Sequence, residues 1–264
     1  MTMNTGNPAQ RLFDIVSKAE RNFYGLRGNN ISPVSWTIWS KVFEIGNSVD
    51  FTRDEQIEII SRVNQSRKLV DEVEELLKKV ENLDHEKYLR PFPKLKTVFT
   101  SPFQLGNSFE QIFGINAVDL TILEFGIDAV AGVYKEKVVD EDQLKALLSE
   151  IQNLYEQVID LEIDKNLKRI LLDMLKIMEN AIHEYRIRGV ERLGEALEQL
   201  VGMYLFNKEI IENSDVVEVE KVKKILSKFG SMYSFAADTV QLLGAGEVIK
   251  NTGEFITKLL GSGE

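Results

Sequence analysis

The stretch KVVDEDQLKALLSEIQNLYEQVIDLEIDKNLKRILLDMLKIMENAIHEYRIRGVERLGEALEQLVGMYLF runs from Lys137 to Phe206 without a proline, and its apolar side chains recur every three or four positions. That period puts them on one face of an α-helix, so the stretch predicts long helices lying side by side. Asp140 to Leu161 opens at a capping aspartate. Lys165 to Tyr185 carries the stripe Leu167, Ile170, Leu171, Met174, Met178, Ile182 and Tyr185. Arg188 to Asn207 carries Leu193, Ala196, Leu197, Leu200 and Tyr204. The expected fold class is all-α, a multi-helix bundle of two packed helical lobes. A helical-repeat-like stack is the alternative, and no fixed period supports it.

Outward from this stretch, the same pattern fills the rest of the chain. Pro8 to Tyr24 predicts a first helix stopped at Gly25, and Ser32-Pro33 opens a second that ends at Gly46-Asn47 and bears Trp36, Trp39, Val42 and Phe43. Thr52 with Glu55 three residues on is a capping box for a long helix to Leu83, with a break expected where Asn64 to Lys68 interrupt its stripe. Three of the five prolines, Pro91, Pro93 and Pro102, fall in a phenylalanine-rich region that reads as a packed joint. Asn116 to Tyr134 reads as a buried helix in which Gly126 and Gly132 admit a close neighbour. Asp215 to Ser227 reads as a short helix, although Val216 to Val222 also fits a strand's period of two. The expected organisation is a helical lobe at 1–87, a joint at 88–107, a bundle at 108–228 and a glycine-punctuated amphipathic tail helix at 229–264.

Composition narrows the function classes. With no cysteine there are no disulfides, thiolate metal sites or thiol nucleophiles, and only His85 and His183 supply imidazole. A formal charge of −10 opposes binding to a phosphate backbone, so nucleic acid is an unfavoured partner. The first residues, Met1 to Gly6, lack a basic cluster followed by an apolar core. No uncharged run approaches the ~18 apolar residues of a membrane span. The expectation is a soluble, cytoplasmic protein with a real hydrophobic core, since a chain of this size buries roughly three quarters of its unfolded surface.

The catalytic and metal motifs each lack a part. His183-Glu184 has no second histidine four positions on, Glu179 and Glu81 precede the histidines by four rather than three residues, and Gly244-Ala-Gly246 has Ile249 where a dinucleotide fingerprint needs glycine. The arginine that helical ribonucleases place before their histidine follows it here. No cofactor or metal is expected.

Candidate contact residues fall into three groups. Tyr185, Arg186, Arg188 and Arg192 form the densest arginine group, either an oxyanion clamp or, by preference, a helix–helix turn in which arginines meet neighbouring carboxylates. Trp36 and Trp39 share one stripe and read first as core anchors, second as a partner-binding pair. Phe235 and Phe255 belong to a tail in which apolar side chains line one side and charge is thin; such a segment docks on the body, enters a groove, or lies on a membrane. The run Glu184-Tyr-Arg-Ile-Arg-Gly-Val-Glu-Arg-Leu-Gly-Glu-Ala-Leu-Glu-Gln-Leu resembles an uncharacterised group of bacterial all-helical proteins. The resemblance covers Leu167 to Gly202, with a looser echo at Trp36 to Gly46, and implies a bacterial origin and a helical fold but no activity.

The leading expectation is therefore a non-enzymatic helical interaction protein with a protein partner, homo-oligomerisation being compatible. A membrane-acting effector of a defence or competition system, working through 229–264, is the second reading. A carboxylate- and metal-dependent enzyme is the third.

Overall fold

The computed structural model describes residues 6–28, 34–46, 50–99, 106, 108–134 and 136–237. Helices account for nearly all of them, joined by short turns, and the one β-feature among these residues is an isolated antiparallel bridge between Val34 and Ser108. The chain is all-α, as the periodicity predicts. It divides into two compact units, Asn7–Tyr134 and a second that follows Tyr134. The proline-rich stretch expected to be the joint thus lies inside the first unit.

The first unit contains α1 (Pro8–Gly28), α2 (Ser35–Phe43), α3 (Arg53–Lys78), α4 (His85–Leu89), α5 (Phe92–Val98), α6 (Phe109–Ile112) and α7 (Ala117–Ala131). Helix α1 packs against α2, α3 and α7, and α3 also holds α4, α5 and α7. Its centre is aromatic. Trp39 is wholly buried, with the rings of Phe43, Phe99 and Phe109 at 5.7, 5.1 and 5.6 Å, and Phe109 stacks on Phe113 at 4.9 Å. The phenylalanines of the proline-rich stretch are therefore core side chains brought to Trp39, each burial contributing about 1.5–3 kcal/mol. Phe103 and the Ser32-Pro33 start lie outside the described residues.

Several element ends differ from the pattern, each for a local reason. Helix α1 continues through Gly25 to Gly28, because neither glycine takes a positive φ that would stop it. Helix α2 stops at Phe43, where Glu44 turns left-handed at φ 61° and its carboxylate meets the Lys18 ammonium at 2.7 Å. The Thr52–Glu55 capping box is present, and α3 runs unbroken through Asn64–Lys68 to Lys78. There the stripe is continued by polar side chains: Arg62 is buried and bonded to Glu58 at 3.0 Å, and the buried Ser66 hydroxyl donates to the Arg62 carbonyl at 2.9 Å. Helix α7 is opened by a reciprocal cap between Asn116 and Asp119, and the buried Asp119 carboxylate also accepts from Lys94 at 2.6 Å.

The second unit is built from α8 (Glu141–Asp160), α9 (Lys165–Arg188), α10 (Val190–Phe206), the single-turn α11 (Lys208–Glu212) and α12 (Val217–Ala237). Helices α8, α9, α10 and α12 form a four-helix bundle in which α12 touches the other three. Asp140 caps α8 and Asp164 caps α9, each accepting two backbone N–H groups, as the capping rule requires. The ambiguous Val216–Val222 segment is helical. Helix α12 passes the expected boundary at Ser227, and Phe229, Tyr233 and Ala236 join the common core, so 229–237 is bundle rather than tail.

Helices α8 and α12 run antiparallel in a register that the side-chain pairs make explicit. Lys221 donates to Gln157 at 2.9 Å, and seven residues along, Lys228 meets both oxygens of Glu150 at 2.8 and 2.6 Å. Seven residues per two turns keeps such rungs on one seam.

Candidate interaction surfaces

The arginine group sits where α9 gives way to α10. Gly189 alone separates the two helices, at φ 62° and ψ −150°, a conformation essentially reserved for glycine. Behind this turn Tyr185 is wholly buried, and its hydroxyl accepts the Val139 N–H at 3.2 Å. Each arginine meets a carboxylate. Arg186 bonds Glu141, Arg188 forks onto Glu195 at 2.7 and 2.5 Å, and Arg192 bonds Glu184 across the turn. Glu195 is also 3.8 Å from Arg192. Charges compensated in this way stitch a helix–helix turn, the structural role that the sequence favours for this group.

The tryptophans separate. Trp39 is a core anchor, while Trp36 is half-buried with its ring 6.3 Å from Phe51. Phe235 is half-exposed on α12, with the Lys137 ammonium 5.1 Å from its ring centre. Phe255 lies outside the described residues.

Two apolar surfaces of the second unit stand out. The first is the corner where α10 ends and α11 begins. Phe206 is 90 % exposed, and Leu205 and Ile210 are half-exposed beside it in the chain. Asn207 bends the backbone between the two helices while its amide donates to the Met203 carbonyl at 2.8 Å, so Phe206 closes one helix and Ile210 stands on the next. The exposed Lys208, Glu209 and Glu212 edge this corner. Tyr204 anchors it from within, buried and donating to Glu212 at 3.2 Å. The sequence pattern assigns Phe206 only the end of a helix. The available signal is Met203-Tyr-Leu-Phe206, four consecutive large side chains of which a helix stripe can bury only some.

The second surface is a groove of about 550 Å³ between α8 and α12. Ala146, Leu147, Met232 and Phe235 line it with apolar surface, and the Lys228–Glu150 pair stands at one end. In the first unit, Val118 and Phe125, seven apart on α7, are also more than half exposed. The helix expected to be buried is thus covered on one side.

His85 is exposed, with Nε2 3.2 Å from the Val80 carbonyl, and exposed His183 lies near Glu179. Burial pushes the Glu179 carboxyl up, but hydrogen bonds from Lys176 and Gln152 outweigh it and leave the group below the usual range. Among the described residues no three histidine or acidic side chains gather as a metal site, and no helix is long and apolar enough to cross a membrane. Comparison of the chain with protein-family models, with curated proteins and with solved structures finds no match.

Proposed function

We propose that this chain acts by binding another protein, with the α10–α11 corner as its contact. The exposure of Phe206 carries the reading: a phenylalanine left 90 % in water forgoes about 1.5–3 kcal/mol that a partner pocket would return. Leu205 and Ile210 widen the apolar centre, and the charged side chains around it match the polar rim of protein interfaces. A rigid helical corner also costs little to order on binding, since Tyr204 already fixes its base. The net charge of −10 favours a protein over a nucleic acid as partner.

The test is affinity recovery from the native host with the tagged parent chain beside a Phe206→Ser, Ile210→Ser double variant of unchanged helicity. A protein recovered in near-equal amount with the parent and lost with the variant supports the proposal. Equal recovery by both chains moves the contact elsewhere. Turnover of a substrate panel, abolished by one side-chain change, overturns the non-enzymatic reading.

A further inference from the structure

The apolar corner at Phe206 is bordered by one sign of charge. From Asn207 to Glu220 the chain reads NKEIIENSDVVEVE, in which five carboxylates, Glu209, Glu212, Asp215, Glu218 and Glu220, face the single cation Lys208. The fold keeps them together. Ile211 and Val219 are buried in the common core and pin α11 and the start of α12 to the bundle. Tyr204, in the last turn of α10, donates to Glu212 at 3.2 Å. Its phenol is pushed up by burial first, then by that hydrogen bond and by the charges of Glu212 and Glu220. The end of α11 and the first turn of α12 therefore both stand beside the end of α10, where Leu205 and Phe206 are exposed. Val217, 65 % exposed at the opening of α12, adds apolar surface there.

Neighbouring cations answer only part of this charge. Lys208 lies 3.7 Å from Glu212, Lys221 3.3 Å from Glu218 and Lys223 2.7 Å from Glu220. Glu209 and Asp215 are exposed and enter no ion pair among the described residues. Exposed pairs contribute little individually, and the field over the corner stays negative. We propose that the α10–α11 corner takes a cationic amphipathic segment of a partner protein, its apolar side chains over Leu205, Phe206 and Ile210 and its lysines or arginines against Glu209 and Asp215. The inference rests on the corner being the contact and adds what that contact selects. A second copy of this chain would set the same unmatched carboxylates against each other, and an acidic peptide or a phosphate surface is repelled.

The probe is a fluorescein-labelled amphipathic helix of leucine and lysine, beside a leucine–glutamate counterpart, each titrated with the full chain and followed by anisotropy. Three double variants of parental helicity are compared. Phe206→Ser with Ile210→Ser removes the apolar centre, and Glu209→Gln with Asp215→Asn removes the unmatched charge. Glu81→Gln with Glu86→Gln removes the same charge from exposed positions of the first unit. The parent is expected to bind the lysine peptide and not the glutamate one, and the first variant to lose that binding. The second should bind about tenfold more weakly at low salt, the difference shrinking as salt rises to about 0.5 M, while the third stays within about twofold of the parent. Equal weakening in the second and third variants overturns the proposal, because the peptide then follows the charge of the whole chain. Binding lost in the first variant but unchanged in the second keeps the corner as a contact and overturns its cationic preference. Binding untouched in the first variant overturns the corner reading and this inference together. A parent that ignores the lysine peptide, or takes the glutamate one as tightly, overturns the inference and leaves the corner to be judged by recovery from the host.

Discussion

Replacing Tyr185 by phenylalanine removes one atom from the interior of the second unit. The ring is wholly buried between α9 and its neighbours, and it keeps its packing in the variant. What is lost is the acceptor for the Val139 N–H, 3.2 Å from the hydroxyl, in the segment that leads into α8. A buried N–H left without an acceptor costs about 1–3 kcal/mol, whereas a hydrogen bond lost to water costs about 1. Val139 is itself buried, so the larger range applies. Urea denaturation followed by far-ultraviolet circular dichroism should show Tyr185→Phe lowering the midpoint at unchanged slope, by the equivalent of about 1–3 kcal/mol. Tyr185→Leu, which also opens a cavity, should cost more. A Tyr185→Phe midpoint within error of the parent would refute the argument, because it would mean that the Val139 N–H finds water or another acceptor at no cost.

Four further outcomes rest on named contacts. A Cβ on Gly194 would stand 3.0 Å from the Tyr233 ring, so Gly194→Ala should destabilise by about 1 kcal/mol in the same assay despite alanine's better helix propensity. Gly189→Ala should cost about 1–3 kcal/mol, whereas Gly25→Ala, helical with open space at its Cβ, should gain about 0.5–1 kcal/mol. Burial raises the Asp14 carboxyl above its usual range, against the Gln10 hydrogen bond and the Arg21 charge; the folded chain therefore takes up this proton more readily than the unfolded one, and stability from this site grows as pH falls through the raised value. Asp14→Asn should abolish that gain without loss at neutral pH, measured as the midpoint against pH. Hydrogen bonds from Arg67 hold Asp71, and from Lys96 hold Glu74, below the carboxylate range, so their contribution is present above that range and lost as pH falls through the lowered values; Lys96→Met should flatten this acid loss, and added salt should shrink it.

The regular parts of the fold are legible because one signal, the helical stripe, both forms and buries them. The Asp140 and Thr52–Glu55 caps can be read for the same reason, each being a local bond between neighbours in sequence. Where tertiary contacts decide, the pattern misleads. Arg62 and Ser66 sit in the α3 stripe as buried polar groups, so a polar run that looks like a break is a continuous helix. The proline-rich stretch reads correctly as packed, yet its position in the first unit depends on Phe92, Phe99 and Phe109 being in that unit's core, partners distant in sequence. The arginine turn is readable because its carboxylates are close in sequence, apart from Glu141. The exposure of Phe206 is not, since the bend at Asn207 that leaves the ring outside has no residue signature of its own.

Both indoles of the chain, Trp36 and Trp39, stand on α2 in the first unit, and Trp39 is sealed among phenylalanines that emit weakly. Light absorbed near 295 nm is thus taken up by one unit alone, at two indoles of which Trp39 reports the dry core and the half-buried Trp36 its margin. The second unit, with its apolar corner and groove, is spectroscopically silent at this wavelength, so a single tryptophan placed at position 206 or 235 would become its only voice.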